Sequence, residues 1–253
     1  MKKVFAGLLV MCFTQVIGWG VTGHRTVGQI AENHLTKKAK NEIDRILDGK
    51  SLAYVSNWMD DIRSDSLYDH THDWHWVTLP DEVSYAEVEK NPDGDIIEAI
   101  TRLIRELKTH TLDKKTESEH VKMLIHLVGD IHQPLHVGNG EDQGGNDARV
   151  KYFGTSTNLH NVWDSQMIDG KNFSYTELAN ELDKVTPQEV AVLQSASVLD
   201  WANESRELRP LVYDLPDHGS LSYEYVYRKW HVVERRLLES GVRLAGVLND
   251  IYR

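Results

Sequence analysis

Two pairs of residues stand four apart in this chain: His126 with Asp130 in LIHLVGDIH, and His160 with Asp164 in NLHNVWD. On a helix that spacing turns both side chains to one face. An imidazole nitrogen and a carboxylate oxygen so placed can share a proton or hold a divalent cation. Taken singly, such a pair is equally a solvated helix-surface contact. The setting of the first pair argues otherwise. His126 lies between Ile125 and Leu127, so the pair is expected inside, with the apolar face of its helix. A buried carboxylate without a partner is costly, and a cation resolves that cost. More donors crowd the same chain. His132 and His136 lie in HQPLH, Asp60 and Asp61 in NWMDDIR, and His70, His72 and His75 in DHTHDWHW, while His24 follows WGVTG. Histidine and aspartate without cysteine suit Zn2+, and one carboxylate can bridge two ions.

Helices must position these donors. Apolar residues recur near a 3.6-residue period from 27 to 47, ending at Gly49, and again from 96 to 107. A third run covers 118–132, where Pro134 halts the pattern. Residues 174–183, 187–204 and 222–252 read as three more helices, with Pro187 suited to a first helical position. ARVKYFG, followed after a few residues by TNLHNVWD, predicts a small β-hairpin. No repeat, linker or low-complexity tract interrupts the chain. The expectation is a single all-α domain over 19–253 with one small hairpin.

Residues 1–18, MKKVFAGLLVMCFTQVIG, are different in kind. Lys2 and Lys3 precede an apolar run, and Val16 and Gly18 fit the −3 and −1 positions of a signal peptidase site. The run is short for a membrane span of ~20 residues. A cleaved secretory signal is expected, and hence a secreted or periplasmic protein without an anchor. Cys12 is the only cysteine, so no disulfide staples what remains. The net charge is −11, with 39 acidic residues against 28 Lys and Arg. Such a surface does not draw in an extended polyanion by its general field. Positive charge for an anionic substrate must come from a local source.

The same stretches occur together in a known family. WGVTGH, NWMDDIR, HDWHWVTLP, LIHLVGDIHQPLH, GGND and NLHNVWD stand here in the order and rough spacing of the zinc-dependent single-strand nucleases. Those enzymes are related to bacterial zinc phospholipases C. The resemblance runs from Trp19 to about Asp164, with a looser helical match beyond. It implies a nearly all-helical fold holding three zinc ions in a cleft. Carried over motif by motif, it implies that Asp60, His75, His126 and Asp130 hold one zinc. Asp130 would bridge to a second, held also by His24 and by the amino group and carbonyl oxygen of Trp19. His136, His160 and Asp164 would hold the third. Asp60 rather than Asp61 follows from the family's W-x-D spacing.

The implied activity is an endonuclease and 3′-nucleotidase, cutting single-stranded DNA and RNA to 5′-phosphorylated products. Its nucleophile would be a hydroxide between two zincs, since zinc lowers the pKa of its water to ~7. Asp60 would thus be both ligand and part of the catalytic machinery. Arg63 stands where the family places a basic residue beside the cleft; it would contact phosphate, or else form a salt bridge with an acid. Asn146 resembles a position that helps hold phosphate and is equally a turn asparagine. Trp76 and Tyr152 offer faces on which a base could stack, or pack inside. His132 would orient a ligand carboxylate or the turn, and His70 and His72 would be solvated. Base-discriminating members carry an acid or amide three residues after the second histidine ligand. Thr78 stands there, which leaves base preference open. A phospholipase C-like lipid phosphodiesterase is the alternative activity, and a non-catalytic zinc-binding protein another. Nucleic acid and 3′-nucleotides would be the substrates of a monomer with no protein partner.

Overall fold

The computed structural model describes residues 18–253, so the expected leader lies outside the described residues except for Gly18. The chain opens with α1 (Val21–Asn33), α2 (Lys37–Ile46), α3 (Leu52–Val55) and α4 (Trp58–Asp61). A 3-10 stretch, Ser66–His75, leads into β1 (Val77–Thr78). Then come α5 (Ile96–Leu107), α6 (Lys114–Ile131), β2 (Val137–Gly138), β3 (Arg149–Tyr152) and β4 (Thr155–Asn158). The last part holds α7 (Leu159–Asn161), α8 (Met167–Asp169), α9 (Tyr175–Leu182), α10 (Pro187–Gln194), α11 (Val198–Glu207) and α12 (Arg209–Val212), followed by β5 (Ser220–Leu221) and α13 (Tyr223–Ile251). The fold is all-α with small sheets only, as the sequence pattern implies.

Two expected helices are each broken in two. The first long run divides at residues 34–36, where the Thr36 side chain accepts the Ala39 amide and restarts the chain as α2. The 187–204 run divides before α11, where Ser197 and Asp200 form a reciprocal capping box. Apolar spacing continues across both breaks, but a cap side chain offers the amides a better partner than the preceding turn does. The expected hairpin is present, with β3 antiparallel to β4 in a register from Arg149 opposite Asn158 to Tyr152 opposite Thr155. β5 adds parallel to β3, and β1 pairs parallel with β2, Val77 facing Val137. These two-residue strands carry too little alternation to announce themselves.

α13 is the spine. α1 lies along it and also touches α3 and α9, while α6 packs between α13 and α5. A Cβ on Gly28 of α1 would stand 2.7 Å from the Ala53 amide nitrogen, so α1 and α3 meet this closely only because position 28 is bare. No described helix is long and apolar enough to cross a membrane. The interior behind α6 is polar. Arg236 of α13 donates to the His132 carbonyl at 3.0 Å, to Glu204 at 2.8 Å and to Ser205 Oγ at 2.9 Å, and it also pairs with Glu239. Removing one partner of a buried pair strands the other. Arg236→Met should therefore cost about 3–5 kcal/mol, read as a lower urea midpoint at unchanged slope. A midpoint within error of the parent would show that the network carries no such weight.

Candidate metal centre

α6 supplies the centre's axis. His126 and Asp130, one turn apart, face the same way, and both are fully buried. Three other segments bring donors to that face. His24 comes from α1 and stacks on His126, ring centroids 4.0 Å apart. It fits because residue 129 is glycine; a Cβ there would stand 2.7 Å from His24 Nδ1. α4 brings Asp60, and the 3-10 stretch that follows brings His75 at its end. Asp130 serves two directions. Its Oδ1 lies 3.2 Å from His24 Nε2, while its Oδ2 lies 2.9 Å from His75 Nδ1 and 3.2 Å from His126 Nε2. Asp60 Oδ1 closes the second side, 3.7 Å from His126 Nε2.

A further group lies beyond Pro134. His136 ends the 3-10 turn Pro134–His136, His160 sits on α7, and Asp164 falls in a π-helical turn, Val162–Gln166. His160 Nε2 stands 2.9 Å from Asp164 Oδ2, and His136 Nε2 stands 3.9 Å from Asp164 Oδ1. The groups are tied together: His136 Nδ1 meets the carbonyl of His75 at 2.6 Å, alongside the β1–β2 pair.

The tautomers follow from the carbonyls. His126 Nδ1 meets Ser56 O at 2.8 Å, and His160 Nδ1 meets Gly144 O at 2.6 Å. A carbonyl only accepts, so the Nδ1 atoms of His126, His136 and His160 carry the hydrogens. In the neutral ring each Nε2 then bears a lone pair, and each is turned toward a carboxylate. Lone pairs facing carboxylates repel unless a proton or a cation lies between them. The donors therefore fit divalent metal: three buried or nearly buried groups, His24–His126–Asp130, Asp60–His75–His126 and His136–His160–Asp164, each with ligand atoms within 4.8 Å of one another. Hydrogen-bonded outer nitrogens are also what orients imidazole ligands in metal sites.

Burial and charge pull the groups apart in protonation. Burial lowers His24, and it lowers His75 to about 4. Burial acts the same way on His126, but the Asp130 and Asp60 carboxylates outweigh it and raise that ring to about 9. Burial would raise Asp130; the imidazoles of His126 and His136 prevail and hold it well below the usual carboxylate range. Asp164 is raised by burial.

Every side chain expected to bind metal lies in one of the three groups. Asp61 is exposed while Asp60 turns inward. Arg63 lies beside the centre, Nη1 3.7 Å from Asp60 Oδ1, with its Nε and Nη2 buried and unpartnered. Trp76 is half-buried and lines a groove of about 610 Å3 with Thr78, Pro80, Val83 and Val88. Tyr152 bonds to the Gln166 carbonyl at 3.3 Å. Asn146 is buried and keeps its side chain within the protein: its Nδ2 donates to Gln143 O at 2.9 Å, and its Oδ1 accepts from Asn158 Nδ2 at 3.4 Å. His132 orients the turn, not a carboxylate. Its Nδ1 meets Val128 O at 2.8 Å and its Nε2 meets Arg243 at 3.0 Å. His70 and His72 are exposed. Sequence reasoning missed Gln133, which is fully buried and donates to Asp164 Oδ1 while accepting from the Leu135 amide at 2.5 Å. Its place between His132 and His136 was the available signal.

A sequence profile of S1/P1 nucleases matches residues 19–253. The chain belongs to the S1/P1 nuclease family. It is 31% identical to Endonuclease 4 of Arabidopsis thaliana over 100% of this chain and 96% of that protein. It is 25% identical to Nuclease P1 of Penicillium citrinum, over 92% and 98% of the two chains. Nuclease S1 of Aspergillus oryzae shares 31% identity over 59% of this chain and 54% of its own. Membership of the S1/P1 family makes this chain a nuclease-type phosphodiesterase.

The opposed shifts give the metal-free S1/P1 family member a definite pH response. His75 is depressed, so its contribution is lost as pH falls from about 6.5 toward 4. His126 is raised, so its contribution is present below 6.5 and lost as pH climbs through about 9. Chelated protein should melt highest near the middle of that span and lower on both sides. Metal takes the place of the His126 proton, so the metal-bound protein should keep its alkaline limb. Melting temperatures across this range check it; a monotonic rise from acid to alkali in the chelated form would contradict the assignment.

Proposed function

We propose that this chain is a secreted, zinc-dependent endonuclease that cuts single-stranded DNA and RNA to 5′-phosphorylated products and also acts as a 3′-nucleotidase. The observation that carries this reading is Asp130, whose two oxygens face two different sets of imidazoles. That is the arrangement needed to hold a pair of cations at the reacting phosphate. Asp60, His75 and His126 would hold the first zinc with Asp130, His24 and the Trp19 main chain the second, and His136, His160 and Asp164 the third. Bound zinc would supply Lewis acidity and a water acidified enough to attack near neutral pH. It would also make the site locally positive in a chain of net charge −11.

The protein's own groups do the rest. Arg63 lines a cavity of about 160 Å3 with His75, Tyr68 and Thr71, and its free N–H groups suit non-bridging phosphate oxygens. Trp76, in its groove beside His75, offers a stacking face for a base. A stacked duplex cannot present a base there, which favours single strands. Asn146 steadies the loop whose Gly144 carbonyl orients His160. The family match begins at Trp19. A Cβ on Gly18 would fall 1.6 Å from Asp130 Oδ1, so the backbone before Trp19 lies on that carboxylate. Release of residues 1–18 would free the Trp19 amine there as a ligand.

Purified protein starting at Trp19 should hydrolyse a single-stranded oligonucleotide and a 3′-mononucleotide, lose both activities to a chelator and regain them with zinc. It should leave a phosphatidylcholine analogue intact. Hydrolysis of the lipid alone would replace this reading with a phospholipase. Arg63→Ala should lower kcat on the order of 10²-fold with metal content unchanged; a wild-type kcat would remove Arg63 from the chemistry. A form extended N-terminal to Trp19 should bind one zinc fewer by elemental analysis and be nearly inactive. Full zinc content in that form would refute the role of the Trp19 amine.

A further inference from the structure

The three-stranded sheet β4–β3–β5 serves none of the roles above, yet it grows directly out of the metal centre. β4 runs through Asn158 into α7 and His160 two residues later. Asn158 caps α7 through the Asn161 amide at 2.7 Å and also meets Asn146. Arg149 of β3 is paired with Asn158 across the ladder, and Lys151 with Ser156. Alternation along a strand puts Arg149 and Lys151 on one face, and both are exposed. With Ser156, Thr157 and His218 they line an open groove of about 420 Å3 that has no acidic residue in its wall.

Three other grooves each carry an acid in the wall, among them Glu87, Asp214 and Asp69. Some exposed cations here are matched by acids, such as Lys184 with Glu181, Lys108 with Asp250 and Lys114 with Asp48, while Lys37, Lys38 and Arg105 are exposed without an ion pair to any described residue. Among the described residues, neither Arg149 nor Lys151 forms an ion pair or a side-chain hydrogen bond. Asp147, two residues before Arg149, and Asp217, next to His218, do not pair with them. In an acidic chain a pair of free cations with hydroxyl and imidazole donors between them is a local anion track. Its spacing along a strand suits successive charges better than a single small anion.

We propose that this groove holds the sugar–phosphate backbone of a single-stranded nucleic acid whose reacting phosphate lies at the metal centre. Arg149 and Lys151 bind successive phosphates of the segment leaving the site, and Ser156 and His218 donate to the same oxygens. The inference rests on the nuclease reading given above and adds an extended substrate site to it. A mononucleotide is too short to reach the groove, so the groove affects long substrates only.

The test uses zinc-bound protein and the double variant Arg149→Ser with Lys151→Ser; both residues are exposed, and matching melting curves establish that the variant folds. Binding of a short fluorescent phosphorothioate oligothymidylate, followed by anisotropy over a range of salt, reads the groove without turnover. The variant should bind on the order of 10-fold more weakly, and the slope of log affinity against log salt should flatten by about 1.4 for two lost phosphate contacts on a single strand. Its kcat/KM for a 3′-mononucleotide should equal that of the parent. Unchanged affinity and salt slope overturn the proposal, as does an equal loss with the mononucleotide, which would mean a disturbed active site. Loss of binding to anionic vesicles with oligonucleotide binding intact would assign the groove to a membrane and overturn it too. If the parent turns over no nucleotide at all, the nuclease reading falls, and the anisotropy still decides the groove.

Discussion

A carboxylate with no solvent around it governs this structure. Asp130 is fully buried in the last turn of α6, and three imidazoles, from His24, His75 and His126, point at its two oxygens. Nothing apolar can replace that set without leaving charge or lone pairs stranded. The fold is built so that the set is complete. α1, the 3-10 stretch before β1, and α6 itself each deliver one ring, and α4 adds the carboxylate of Asp60. Helices with no direct part in the centre still bear on it. α13 and α11 hold the far side of α6 through Arg236, Arg243, Glu204 and His132, so the turn after Asp130 is tied to the spine.

The second group of donors is placed relative to the first by main chain, not by bulk packing. β1 and β2 are only two residues each, but they pair directly beside the bond from His136 Nδ1 to the His75 carbonyl. Arg209 clamps the pair from outside, donating to the carbonyls of Leu79 and Val137 at 2.9 Å. Two donor sets are thereby held at a set spacing. On the proposed reading this spacing is the functional quantity, since attacking and leaving oxygens sit on opposite sides of one phosphorus.

Much of this was legible in the chain. The helical class followed from period, and the donors followed from His and Asp types at turn spacing together with the family motifs. What was not legible was whatever depends on backbone alone. The breaks at Thr36 and Ser197 interrupt apolar periods that run on unchanged, so a pattern of side chains cannot reveal them; a capping signature could have, and at Ser197 it was present in SVLD. β1, β2 and β5 are too short to alternate. Gln133 and the turn-holding role of His132 needed the three-dimensional neighbours, Asp164 for one and Arg243 for the other.

The carbonyls of Ser56, His75 and Gly144 each fix the ring of a different histidine. A carbonyl is present whatever side chain its residue bears, so the aim of these rings does not depend on the identity of position 56 or on neighbouring surface positions. Drift in sequence can proceed around the centre while its geometry stays. Relatives at 25–31% identity over most of their length are what such a design permits. Position 144 is the exception. Its φ is +62°, and a Cβ there would stand 2.3 Å from the Leu135 carbonyl, so that one carbonyl comes with a residue that cannot change.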